Sequence, residues 1–202
     1  MKITNIFSCF TVVILFFLSS CSIIEPYYLD LPDKKKAEYV VLAINENNHK
    51  NQNKPDIYSI NGNELTLLLK KNKSNKTLLI FFTYWCPNSN SFLPSFLDEI
   101  SNVKNLDIYI ISPDDWKYVS SYKRYSSKNN IIHNIYLLDV FEYGKKRNPH
   151  KKMAKFISEI CIDCNIIEGF PSVILFDKTN SIIYKQSVKI ESDTILKYLN
   201  ER

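Results

Sequence analysis

Residues 77–100 read TLLIFFTYWCPNSNSFLPSFLDEI. Leu78, Leu79, Ile80, Phe81 and Phe82 form a short unbroken apolar run, the length and composition of a strand buried on both faces of a sheet. Thr83-Tyr84-Trp85 ends the run and Cys86-Pro87 follows. From there Phe92, Leu93, Phe96, Leu97 and Ile100 recur with the spacing of one helical face. Cys86 therefore stands where a buried strand hands over to a helix. The first N–H groups of a helix have no intrahelical acceptor, and the dipole places partial positive charge there. A thiolate in that position is stabilised below the ordinary thiol range. Pro87 at the first helical position gives up an N–H that would have had no partner. A lone cysteine also serves as a small buried hydrophobe; the strand-to-helix setting favours a reactive position.

The sequence WCPNS on such a turn resembles the W-C-x-x-C site of the thioredoxin-like superfamily, with Ser89 in place of the second cysteine. Pro94 matches the proline that kinks the active-site helix of that superfamily. Glu168-Gly169-Phe170-Pro171-Ser172 followed by VILFD resembles its cis-proline loop and the next strand. Ile57–Ile60, the Asn61-Gly62 turn and Leu65–Leu69 look like the opening hairpin of the membrane-attached, TlpA/ResA-like branch. The resemblance implies an α/β sandwich, a mixed central sheet flanked by helices, with an inserted helix-strand unit. It implies thiol–disulfide exchange through Cys86, with Ser89 donating a hydrogen bond to the thiolate. Trp85, Pro87, Phe170 and Pro171 would rim a groove for a protein or small thiol or disulfide substrate. No cofactor is expected.

The amino end carries a second pattern. Lys2 precedes an apolar run from Ile6 to Leu18, too short to span a bilayer and shaped like a signal-peptide core. It closes on Leu18-Ser19-Ser20-Cys21, which resembles the bacterial lipobox; an uncleaved anchor is the alternative. The expected organisation is a signal peptide over 1–20, a tether over 21–53 lipidated at Cys21, and a thioredoxin-like domain over 54–202. The domain would then face the periplasm or the outside from the cell envelope, where disulfides persist. Within the tether, Ala37, Val40, Val41 and Ile44 fall at helical spacing after a cap at Asp33, although the same residues also suit a short strand.

Of the five cysteines, Cys9 would leave with the signal and Cys21 would carry lipid. Cys86, Cys161 and Cys164 remain in the domain, an odd number. Cys161 and Cys164 are three apart, about 5–6 Å at Cβ on a helix. Three readings stand open for them: a local disulfide formed as the helix end relaxes, two separate buried thiols, or relay to Cys86. A soft-metal set of Cys86, Cys161, Cys164 and His133 or His150 is the weaker alternative, because Asn90 fills the place where copper-handling relatives carry a second cysteine. No metal is expected.

Further along, Leu106–Ile111 reads as a strand and Ser112-Pro113-Asp114-Asp115 as a helix start. Trp116, Val119, Tyr122 and Tyr125 mark its apolar face. Ile135–Leu138 is a further strand. Asn148-Pro149 caps a helix with Met153, Phe156, Ile157, Ile160 and Cys161 inward. Ser172–Asp177 and Ser181–Lys185 form a hairpin, and Ile190–Leu199 an amphipathic helix. Ile80 stands where many thioredoxins carry a buried proton-transfer acid. The formal charge of +5 comes from scattered lysines with three arginines and no nucleic-acid motif, so nucleic acid is excluded as a partner. The cluster Lys145, Lys146, Arg147, His150, Lys151 and Lys152 reads as a solvated loop or as a site for an acidic partner.

Overall fold

The computed structural model of the chain describes residues 57–72, 74–144, 148–161, 164 and 168–200. The expected signal segment, the lipidation site Cys21 and the tether lie outside them. The elements run β1 (Ile57–Ile60), α1 (Gly62–Lys71), β2 (Lys76–Phe81), α2 (Pro87–Ile100) and β3 (Leu106–Ser112). A 3-10 turn (Trp116–Tyr118) leads into α3 (Val119–Lys128), followed by β4 (Ile135–Leu138), α4 (Val140–Tyr143) and α5 (Pro149–Ile160). The chain closes with β5 (Ser172–Asp177), β6 (Ile182–Ser187) and α6 (Ser192–Asn200).

The strands form one six-stranded sheet in the order β1-β4-β3-β2-β5-β6. β1, β4, β3 and β2 are parallel neighbours, whereas β5 and β6 are antiparallel. This is the thioredoxin-like α/β sandwich, with α3 and β4 as the inserted unit between β3 and α5. β2 sits at the centre, and its alternation feeds two cores. Leu79 and Phe81 point to the face covered by α1 and α5, with Leu65, Leu69, Met153 and Phe156. Leu78 and Ile80, with Phe82 beyond the strand end, point to the face covered by α2, α3 and α6, with Leu93, Phe96, Tyr122 and Ile195. The unbroken apolar run is thus explained by helices on both sides.

Three local expectations change. The opening hairpin is instead a strand followed by a helix. Asn61 Oδ1 accepts from Glu64 N–H at 2.9 Å and Glu64 Oε2 accepts from Asn61 N–H at 2.9 Å, a capping box. Leu65, Leu68 and Leu69 then lie on one buried helical stripe. Asn61→Ala removes this reciprocal cap and lowers stability by about 1 kcal/mol, measurable by urea unfolding. Second, Ser112-Pro113 does not start a helix: Asp115 caps the 3-10 turn by accepting from Lys117 N–H. Third, α5 stops at Ile160, so Cys161 and Cys164 do not share a helical face; Cys161 is extended, with φ −153°.

Candidate functional site

The site is built at the carboxyl end of β2. Cys86 is the N-cap of α2, with Pro87 at the first helical position, as expected. The preceding loop is fastened at several points. Thr83 N–H donates to the buried Ser89 Oγ at 3.0 Å, and Asn90 Nδ2 donates to the Tyr84 carbonyl at 2.9 Å. The Ser89 hydroxyl oxygen accepts the Thr83 bond and closes the Thr83–Ser89 turn, which leaves its own proton to donate. Pro94 lies inside α2. It has no N–H to offer the Asn90 carbonyl, and Tyr125 OH donates to that carbonyl at 2.9 Å.

The second wall is the loop before β5. The Phe170–Pro171 peptide is cis, and Phe81 of β2 is registered with Ser172. Cys86 Sγ therefore lies 3.6 Å from the Phe170 carbonyl oxygen. The loop is held by Ser187, whose Oγ accepts from Glu168 N–H and Gly169 N–H, each at 3.2 Å. Pro171 supplies its carbonyl to Val188 N–H at 2.8 Å.

Cys86 is 0% exposed, where an accessible sulfur was expected. It belongs to the core cluster that contains Phe170 and Cys164, with Trp85 and Cys161 half-buried against it. Reaction at this sulfur requires that covering to part. Trp85, Phe170 and Pro171 thus come together with Cys86, and Pro87 is exposed at the helix start. Cys161 and Cys164 are joined by a disulfide that closes the turn after α5. His150 stacks on Phe170 with ring centroids 5.3 Å apart, while His133 lines a separate cleft with Pro94 and Leu97. Among the described residues no three His, Cys, Asp or Glu side chains are grouped as metal ligands.

Sequence reasoning missed the charged groups behind the site. Asp114, 2% exposed, accepts from Trp85 Nε1 at 3.0 Å and 3.2 Å on its two oxygens. It also accepts from Tyr122 OH at 2.6 Å. Burial pushes its carboxyl up to about 6, against the opposing hydrogen bonds from Tyr122 and Trp85. Lys152, placed in a solvated basic cluster by the sequence, is 1% exposed. Its burial lowers its ammonium below the usual lysine range, partly offset by Asp115 and Asp114. The available signal was its position in α5: Lys152 precedes Met153 and lies four residues before Phe156, at the margin of the apolar stripe.

No family model matches the chain, and no curated protein matches it. Among solved structures, the chain is similar to the exposed lipoprotein thioredoxin Etrx1 of Streptococcus pneumoniae, at 16% identity over 65% of this chain and 87% of that one, TM-score 0.43. StoA from Bacillus subtilis matches at 18% identity over 65% and 87%, TM-score 0.42. The thioredoxin domain of a thiol-disulfide oxidoreductase from Bacteroides vulgatus matches at 21% over 65% and 84%, TM-score 0.45.

Proposed function

We propose that this chain is a cell-envelope thioredoxin-like lipoprotein that exchanges thiols and disulfides through Cys86 as its single nucleophile. The observation that carries the reading is the placement of Cys86 at the start of α2, with Sγ 3.6 Å from the Phe170 carbonyl beside Pro171. Reduced Cys86, as thiolate, attacks one sulfur of a substrate disulfide. A Cys86–substrate disulfide forms, the substrate S–S bond breaks, and its other sulfur leaves as thiolate. With serine at position 89, release falls to an outside thiol, which attacks the mixed disulfide and returns Cys86 to the thiolate. Trp85, Pro87, Phe170 and Pro171 form the rim against which the substrate lies. The Cys161–Cys164 disulfide holds the turn after α5, and Cys21 is the lipidated residue that ties the domain to the membrane. Among the described residues, no helix is long and apolar enough to cross a membrane.

One observation favours a second reading, a non-catalytic binding or assembly module of an envelope complex: the complete burial of Cys86. The two separate in a trapping experiment. The protein is reduced, mixed with oxidised glutathione, quenched in acid and mapped by peptide mass. The exchange reading expects a glutathione adduct on Cys86, and an unmodified Cys86 after prolonged incubation supports the binding module.

A further inference from the structure

Both walls of the Cys86 site lead to the first turns of α5. On one side His150 stacks on Phe170, whose carbonyl faces Cys86 Sγ. On the other, Asp114 holds the indole N–H of Trp85, the residue next to Cys86, and buried Lys152 lies where the charges of Asp115 and Asp114 act on it. The sheet position expected for a buried acid is filled by Ile80, which is wholly buried and apolar. The buried acid of this site comes instead from the loop after β3.

We propose that Asp114 is a positioning residue for the Cys86 site: its carboxylate fixes Trp85, with Lys152 as counter-charge, and its charge state sets how readily the sulfur is uncovered. The proposal rests on Cys86 being the reacting group. An ionised carboxylate accepts from both Tyr122 OH and Trp85 Nε1 with its two oxygens. A protonated one turns one oxygen into a donor and gives up the charge that strengthens those bonds. Trp85 then loses part of its hold, and it packs against the cluster that contains Cys86. Among the described residues, the groups acting on Asp114 are Tyr122 on α3, Tyr84 and Trp85 on the Cys86 loop, Asp115 beside it, Lys117 on the 3-10 turn and Lys152 on α5. Burial pushes the tyrosines Tyr84 and Tyr122 upward, whereas the Asp114 carboxyl lies at about 6.

The test reads thiol reactivity and needs no turnover. The full chain is reduced, treated with iodoacetamide from pH 5 to 8.5, quenched, and the rate at Cys86 extracted by peptide mass mapping. In the wild-type protein, the rate corrected for thiolate fraction falls as pH rises through about 6, as Trp85 becomes fixed. Asp114→Asn removes the charge, and Trp85→Phe keeps a ring in place while deleting the N–H. Each should react about tenfold faster at pH 7.5, the scale of one charge-assisted hydrogen bond, and show no inflection near pH 6. A wild-type profile without that inflection overturns the proposal. So does either folded variant, checked by circular dichroism, that stays within twofold of wild type. The expected alkylation profile with no glutathione adduct would sink the exchange reading and leave Asp114 as a control on access to the Cys86 sulfur alone.

Discussion

Cys86→Ala brings exchange with a small fluorogenic disulfide down to the rate of buffer alone. Cys161→Ser and Cys164→Ser, singly or together, leave most of it. The asymmetry follows from where each sulfur sits. Exchange requires a thiolate that reaches an outside disulfide and presents the resulting bond to a second thiol. Cys86 lies at the first turn of α2, where unpaired N–H groups stabilise sulfur charge, and it faces the Phe170 carbonyl across the groove. Cys161 and Cys164 follow the end of α5 and are spent on one another. Reducing their bond loosens a turn in the chain that returns to Gly169 and Phe170, which accounts for a modest loss and no more. Rates are read with each variant's unfolding curve alongside. Retention of exchange by Cys86→Ala, or its abolition by the Cys161→Ser, Cys164→Ser pair, would transfer the nucleophile to the α5 turn.

The sequence disclosed the parts of this fold whose causes are local and periodic. Leu78 to Phe82 announce a strand with helices on both sides, because only burial on both faces tolerates five successive apolar residues. Cys86-Pro87 announces a helix start because proline needs no acceptor there. The registered partners Phe81 and Ser172 then bring Phe170 to Cys86. What stayed hidden depended on competition or on distance. Asn61-Gly62 suits a tight hairpin turn, but it also suits an N-cap, and Glu64 three residues later decides for the cap. Lys152 reads as solvated among Lys151 and its basic neighbours; the charges that partly offset its burial, Asp115 and Asp114, are carried by the loop after β3, far away in sequence. Ser89 reads as a partner for Cys86 because the two are three apart at a helix start. The Thr83 N–H, left without a strand partner as β2 ends, adds a bond to the Ser89 oxygen that the sequence did not announce.

Asp114→Asn changes stability in a pH-dependent way, and its sign separates a functional carboxylate from a structural one. The group titrates near 3.8 as an isolated carboxyl and at about 6 in the folded protein, burial being the chief cause. The native state therefore binds more protons than the unfolded chain between those values, and stability falls as pH rises through them. Asp114 is at its most favourable below about pH 4, and above about pH 6 its ionised form costs roughly 3 kcal/mol at most. The asparagine variant has no such loss. Measured by urea unfolding, the variant minus wild-type stability should rise by about 1–3 kcal/mol between pH 4 and pH 7.5. Every other titrating group is common to both proteins, so the difference isolates Asp114. A difference that stays constant with pH would mean that the buried carboxyl is fully compensated by its hydrogen bonds, and the cost would vanish. If the difference rises as expected, the domain retains at neutral pH an ion it would be more stable without. That is the pattern of a group kept for what it does to Trp85 and Cys86 at the expense of the fold.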